Sequence, residues 1–291
     1  MSSIPSPMGA RLPATPAETV SAPISFLIMS DTHDTAFPNP QGLPPVDVVL
    51  HCGDLTTSGG QSDYLAAIRN LSACDAEVVL VIPGDHDVVL DASWWRDNMD
   101  DVGDPDEPFK SHALFIEASN RGIHLLPEGT STITLRDGRS FSIYASPFTP
   151  EDNGLAFSYR RDEDRFNRVP IPDNVDIVMT HGPPGLFQDG YRLDTTLGVP
   201  CGCPMLWKAI QHTRPRLHCF GHIHEGYGVQ NVRWDKNVLT LGNDIPRDRY
   251  GALVLDREKK ETVLLNASIM NNFQLHNNNP WVVEMRFGSM S

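Results

Sequence analysis

Short apolar runs closed by polar residues dominate the pattern along this chain. ISFLIMS (24–30), VDVVLHC (46–52) and EVVLVIP (77–83) have the length and composition of buried strands. Between the last two, SDYLAAIRNLSAC (62–74) places its apolar residues at helical spacing, with Ser62 as the expected N-cap. Strand, helix, strand predicts a parallel crossover. SHALFIEASNRG (111–122) predicts a second helix, ended by Gly122. STITLRDGRSFSIYASP (131–147) predicts two strands around Asp137-Gly138, a hairpin signal. Five further short strands are predicted at 175–182, 216–222, 237–243, 251–256 and 262–268, with a helix over 203–213. Many strands and few helices in one unit predict an α/β fold of two packed mixed sheets with helices outside. No internal repeat is visible in the pattern.

The ends differ from this middle. Residues 1–23, rich in Pro, Ser and Ala, predict a flexible tail, and residues 271–291 a C-terminal extension that wraps the surface or is disordered. One domain over 24–270 is expected between them.

Composition narrows the class. Of 291 residues, 40% are hydrophobic and 21% charged, as in an ordinary soluble protein with a sizeable core. No run approaches the ~20 apolar residues of a membrane helix, and the first residues lack the apolar centre of a secretory signal. No membrane partner and a cytoplasmic location are therefore expected. Five cysteines without a framework spacing read as reduced thiols. A net charge of −14 argues against sequence-independent nucleic-acid binding. It leaves room for a small phosphate-bearing substrate, because divalent cations in a pocket reverse the local field.

Candidate chemistry gathers where strands end. Asp31 and His33 follow the first strand, Asp54 the second, and Asp85, His86 and Asp87 the third. His181 follows VDIVM, and His222 and His224 follow RLHCF. Residues just beyond the carboxyl ends of strands converge on one crevice in an α/β sheet. Aspartate oxygen and histidine nitrogen suit Mn, Fe or Zn. The i, i+2 spacing lets Asp31 and His33, or His222 and His224, grip one ion together. Taken singly, each piece reads as a turn or a core histidine. Taken in this order, they read as one metal site.

The sequence DTH…GD…GDHD…THGPP…GHIH resembles the calcineurin-like metallophosphoesterase family, over about residues 24–268. YASPFTP, THGPPG, RPRLHCFGHIHEGYG and LLNAS are similar to its metallophosphoesterase-domain-containing branch. The resemblance implies a four-layer αββα sandwich and two divalent metal ions. It implies Asp31, His33 and His224 on the first metal, Asp54 bridging both, and Asp85, His181 and His222 on the second. It also implies hydrolysis of phosphoesters by metal-hydroxide attack, with phosphodiesters, cyclic nucleotides among them, as the substrate class. His86 would assist the leaving oxygen. Asp87 would orient that imidazole, or would simply cap the turn.

One position departs from the family pattern, which has Asn where this chain has Asp85. A carboxylate there adds negative charge, holds the second metal more tightly and attracts an anionic phosphate less. It also removes an amide donor. Three outcomes stay open: slow phosphoester cleavage, a site tuned to another metal or a less anionic substrate, or Lewis-acid chemistry on a non-phosphate metabolite. A non-catalytic scaffold is the remaining alternative. Around the site, residues 91–109 read as an irregular lid whose Trp94 and Trp95 either stack on a base or ring or pack the loop onto the body, and residues 187–203, with Arg192, as another wall.

Overall fold

The computed structural model describes residues 22–35, 42–100, 103–151, 154–235, 238–249, 251–255, 260–271, 273, 275 and 277–287. The first half contributes β1 (Ile24–Met29), β2 (Val46–His51), β3 (Ala76–Val81), β4 (Ile123–Leu125), β5 (Gly129–Thr134), β6 (Ser140–Ser146), β7 (Thr149–Pro150) and β8 (Ser158–Tyr159). The second contributes β9 (Ile177–Thr180), β10 (Thr195–Thr196), β11 (Val199–Pro200), β12 (Leu217–Phe220), β13 (Gly228–Asp235), β14 (Val238–Gly242), β15 (Leu253–Leu255), β16 (Glu261–Asn266) and β17 (Trp281–Met285). The helices are α1 (Gln61–Leu71), α2 (Ala92–Asn98), α3 (Glu107–Ser119), α4 (Arg165–Arg168) and α5 (Pro204–Thr213).

One six-stranded sheet runs β15-β17-β1-β2-β3-β4, and a seven-stranded sheet runs β14-β13-β16-β12-β9-β6-β5. The β1–β2–β3–β4 and β6–β9–β12–β16 runs are parallel. β1, β9 and β12 among them are buried almost throughout, on both faces, so they read as short continuous runs rather than alternating ones. Phe26, Ile28, Val48, Leu50 and Leu80 of one sheet meet Phe141, Ile143, Ile177, Met179, Leu217 and Val263 of the other in the central core. Leu27, Met29, Val49 and Val81 turn the other way, onto Tyr64, Ile68, Leu71 and Phe115 of α1 and α3. Tyr144 and Val178 pack on Phe166, Leu206 and Ile210 of α4 and α5. Helix, sheet, sheet, helix is the layering that the sequence pattern predicts.

Several local expectations differ. Helix α1 starts one residue before Ser62, with Gly60 at the N-cap, and the Ser62 hydroxyl bonds Asp63 instead. Residues 91–109 are not a wholly irregular lid. Asp91 accepts from the Ser93 and Trp94 backbone N–H groups and starts α2, and α3 begins at Glu107. Trp94 ties the segment to Gly154 O (2.8 Å), Trp95 braces it internally on Asp104 O (2.9 Å), and both rings pack against the core under α1 and α3.

The expected surface extension also contains a core element. Trp281–Met285 forms β17, antiparallel to β1 and parallel to β15, with Val283 and Met285 fully buried. Of the expected N-terminal tail, residues 1–21 lie outside the described residues. Among the described residues, no helix is long and apolar enough to cross a membrane.

Candidate metal centre

Five strand ends supply the site. Beyond β1 stand Asp31 and His33, beyond β2 Asp54, beyond β3 Asp85, beyond β9 His181, and beyond β12 His222 and His224. Backbone bonds knit these turns together: Asp31 N–H donates to Gly53 O (3.0 Å), Thr32 N–H to Asp54 O (2.9 Å) and Gly221 N–H to His181 O (2.8 Å). Asp31, His33, Asp54 and His222 all adopt positive φ, between 39° and 65°. Such conformations are sparsely populated by residues with a Cβ, and their clustering is a mark of a functional site.

Glycines make room for the ligands. A Cβ on Gly84 would lie 2.2 Å from Asp54 Oδ1, and one on Gly221 2.2 Å from Asp31 Oδ2. Each stands immediately before a ligand of its own, in the Gly84-Asp85 and Gly221-His222 pairs.

All seven expected ligands come together. Asp31, His33 and His224 offer one ligand atom each within 4.8 Å of one another, as do Asp85, His181 and His222, and also Asp31, Asp54 and His181. Asp54 lies between the groups. Its Oδ2 is 3.4 Å from His33 Nε2 and its Oδ1 3.4 Å from His181 Nε2. Asp85 Oδ1 is 2.9 Å from both His181 Nε2 and His222 Nδ1. Asp31, Asp54, Asp85 and His181 are buried.

The electrostatics are those of a site built around cations. His181 Nδ1 bonds Cys52 O at 2.8 Å, which turns Nε2 toward the carboxylates. Burial opposes charge on His181, yet Asp54 and Asp85 hold its pKa well above the ordinary value. His224 is raised in the same way: burial lowers it, and Asp31 outweighs burial. Against the opposing effect of burial, Asp31 is lowered by His224 first and then by His181 and His33, and Asp85 by His222 and His181. Burial dominates at His33 and lowers it. Buried carboxylates thus favour the protonated form of His181 and His224. A divalent ion bound by the same oxygen and nitrogen donors would displace those protons. The donor set fits Mn, Fe or Zn, with no thiolate in any of the three groups.

His86 and Asp87 occupy different places. His86 N–H donates to Asp54 Oδ1 (3.0 Å), and its ring lies 4.9 Å from that of His33, centre to centre. Its Nδ1 bonds Thr57 O at 2.9 Å, leaving Nε2 for other partners. Asp87 does not hold this imidazole. Its carboxylate accepts from the Gly84, Leu55 and Thr56 N–H groups and from the Thr56 hydroxyl, at 2.8–3.1 Å. Burial first, and the Asp54 charge second, push Asp87 up to about 7 against the pull of those donors. It locks two ligand-bearing turns together. The group that sets the His86 ring is the Thr57 carbonyl, which side-chain motifs in the sequence do not reveal.

The 187–203 segment borders the site. Leu197 N–H donates to Glu225 Oε2 (2.6 Å), beside His224, and Leu197 itself is 88% exposed. Arg192 engages Gln230 Oε1 through its backbone N–H.

The family model described as Calcineurin-like phosphoesterase matches residues 24–226. Metallophosphoesterase domain-containing protein 1 of Homo sapiens is 34% identical over 220 residues, covering 70% of this chain and 61% of that protein. Probable rhamnogalacturonate lyase C of Emericella nidulans is 32% identical over 214 residues, covering 73% of this chain and 18% of that protein. The chain therefore spans less than two thirds of either relative. Among solved structures, phosphopantetheinyl hydrolase of Mycobacterium tuberculosis aligns over 91% of this chain and 96% of its own, with 16% identity and a TM-score of 0.47.

Proposed function

This chain belongs to the calcineurin-like phosphoesterase family, and on that premise we propose that it hydrolyses phosphodiesters, cyclic nucleotides among the candidates, with two divalent metal ions. The observation that carries this reading is the meeting of seven Asp and His ligands from five strand ends, with His86 beside them. Asp31, His33 and His224 would hold one ion, Asp85, His181 and His222 the other, and Asp54 would bridge. Such an ion pair polarises phosphoryl oxygens and acidifies a water at neutral pH.

The residues of the chain do the rest. The His181 Nδ1–Cys52 O bond fixes that ligand's tautomer, as a bond from the other ring nitrogen of a ligating histidine commonly does. His86, oriented by Thr57 O, would give a proton through Nε2 to the departing oxygen. The third carboxylate, Asp85, makes the centre less positive. The added negative charge would weaken attraction for a doubly charged monoester more than for a singly charged diester, which shifts preference toward diesters.

Manganese is the metal we would load first, because Asp and His donors suit it. The test is hydrolysis of bis-p-nitrophenyl phosphate by Mn²⁺-loaded protein beside the metal-stripped protein. Metal-dependent turnover supports the proposal, and two bound ions with no turnover of activated diesters or monoesters overturn it. That second result would favour Lewis-acid chemistry on a non-phosphate metabolite, a reading for which the extra charge of Asp85 is the specific observation.

A further inference from the structure

Two buried histidines outside the ligand set occupy matching places in the two sheets. His51 ends β2, beside β1, and His218 lies on β12, beside β9. Each is preceded by leucine and followed by cysteine, in Leu50-His51-Cys52 and Leu217-His218-Cys219. Each neighbouring strand leads into a threonine followed by a ligand histidine, Thr32-His33 after β1 and Thr180-His181 at the end of β9. The sequence pattern showed no repeat because the two copies are only two or three residues long.

The contacts repeat as well. His51 Nε2 lies 3.0 Å from Thr32 Oγ1, which is 3.2 Å from Leu55 O, in the turn after Asp54. His218 Nε2 lies 2.8 Å from Thr180 Oγ1, which is 2.7 Å from Gly182 O, in the turn after His181. A hydroxyl that donates to a carbonyl accepts from the imidazole, so both rings carry the proton on Nε2. Both rings and both hydroxyl-bearing residues are buried. Among the described residues, the Nδ1 atoms of His51 and His218 have no hydrogen-bond partner.

A core histidine with an unpaired ring nitrogen is an expensive filler. A buried polar atom without a partner is destabilising, a penalty that a leucine of similar volume avoids. That expense occurs twice, at equivalent positions, and each time the ring supports a threonine adjoining a ligand. Building on the two-metal reading, we propose that His51 and His218 are positioning residues, one for each ion. His51, through Thr32, would set Asp31 and His33. His218, through Thr180, would set His181.

The test is stepwise Mn²⁺ binding to the metal-stripped full chain, followed by calorimetry, for His51→Leu, His218→Leu and the matching glutamine variants. The two sites are told apart with His33→Ala and His222→Ala. Glutamine can offer an amide N–H at the reach of Nε2. His51→Leu is expected to weaken the Asp31/His33/His224 site by about 10–100-fold and His218→Leu the Asp85/His181/His222 site by a similar factor, the usual scale for outer-shell partners. The glutamine variants are expected to restore most of each affinity. Thermal midpoints of the metal-free proteins accompany the titrations. Equal weakening of both sites by each leucine variant, tracking a fall in thermal midpoint, would reduce the pairs to core packing and overturn the inference. Unchanged affinities in both leucine variants overturn it too. A native chain that binds no Mn²⁺ overturns the two-metal reading itself, and this inference with it.

Discussion

Asp85 Oδ1 sits 2.9 Å from His181 Nε2 and serves His222 Nδ1 at the same distance. One carboxylate oxygen thus organises the second ligand group, at a position where the family pattern has an amide. Asp85→Asn keeps an oxygen there and removes the charge. The second Mn²⁺ is expected to bind about 10-fold more weakly, and turnover of bis-p-nitrophenyl phosphate at saturating metal to rise, because a more positive centre attracts the anion and acidifies water better. Metal titration and initial rates on the same preparations check both halves. Tighter binding in the variant would contradict the charge argument.

Asp54 reaches both ligand groups, 3.4 Å from His33 and 3.4 Å from His181 on opposite oxygens. Asp54→Ala is expected to lose both ions and all metal-dependent turnover. Elemental analysis after gel filtration is the check, with circular dichroism to show that the sheets remain. Two ions retained at native affinity would remove Asp54 from the bridge.

Most of this architecture was legible in the residues. β1, β2 and β3 are apolar runs buried on both faces, and such runs need no partner to be recognised. Trp281–Met285 was not legible as β17, because it is five residues set after NNNP, and its place depends on β1 across the whole chain. β13 hid for another reason. Its GVQNVRWD alternation includes Gln230 and Asn231, which are buried and bonded to Gly190 O and Glu261. The seven ligand candidates were visible because strand ends converge. The role of Asp87 was not, since it depends on backbone donors from another turn. The His–Thr pairs were likewise hidden, because pairing across strands leaves no spacing rule.

Asp194 is buried, and burial pushes its pKa up to about 6 from 3.8 against the pull of the Gly202 N–H and the Thr195 hydroxyl. The folded chain therefore keeps a proton that the unfolded chain releases. Stability from this group is greatest below pH 4, declines as pH rises toward 6 and stays reduced above. Asp194→Asn is expected to raise the thermal midpoint at pH 8 by roughly 2–4 °C and to leave it unchanged at pH 4. Thermal melts of both proteins at the two pH values decide it, and an equal shift at both would assign the effect to packing.

Leu197 has φ of 48° at the tip of the β10–β11 hairpin, followed by Gly198 at 79°. Two consecutive positive φ values are those of a tight hairpin turn that favours Asn-Gly, and a branched side chain there is strained. Leu197→Asn is expected to stabilise the fold by about 0.5–1.5 kcal/mol, seen as a higher urea midpoint. The N–H bond to Glu225 is a backbone contact and survives the change, so metal uptake should be unaffected. A lower midpoint would show that the exposed leucine packs in solution.

His86 separates metal binding from proton transfer. Its backbone N–H holds Asp54 Oδ1, and its ring is anchored by Thr57 O through Nδ1. The first contact survives any substitution other than proline, and the second is lost in His86→Ala. The two ions should therefore remain at native affinity while the rate for a poor leaving group falls about 10²–10⁴-fold, the usual contribution of a positioned acid. The fall should shrink for p-nitrophenolate, which departs with little need of a proton, so the ratio between an alkyl and a nitrophenyl ester reports the proton directly. If His86→Ala instead strips metal, the ring is a ligand. If both esters slow equally, the imidazole positions the phosphate rather than protonating the oxygen that leaves.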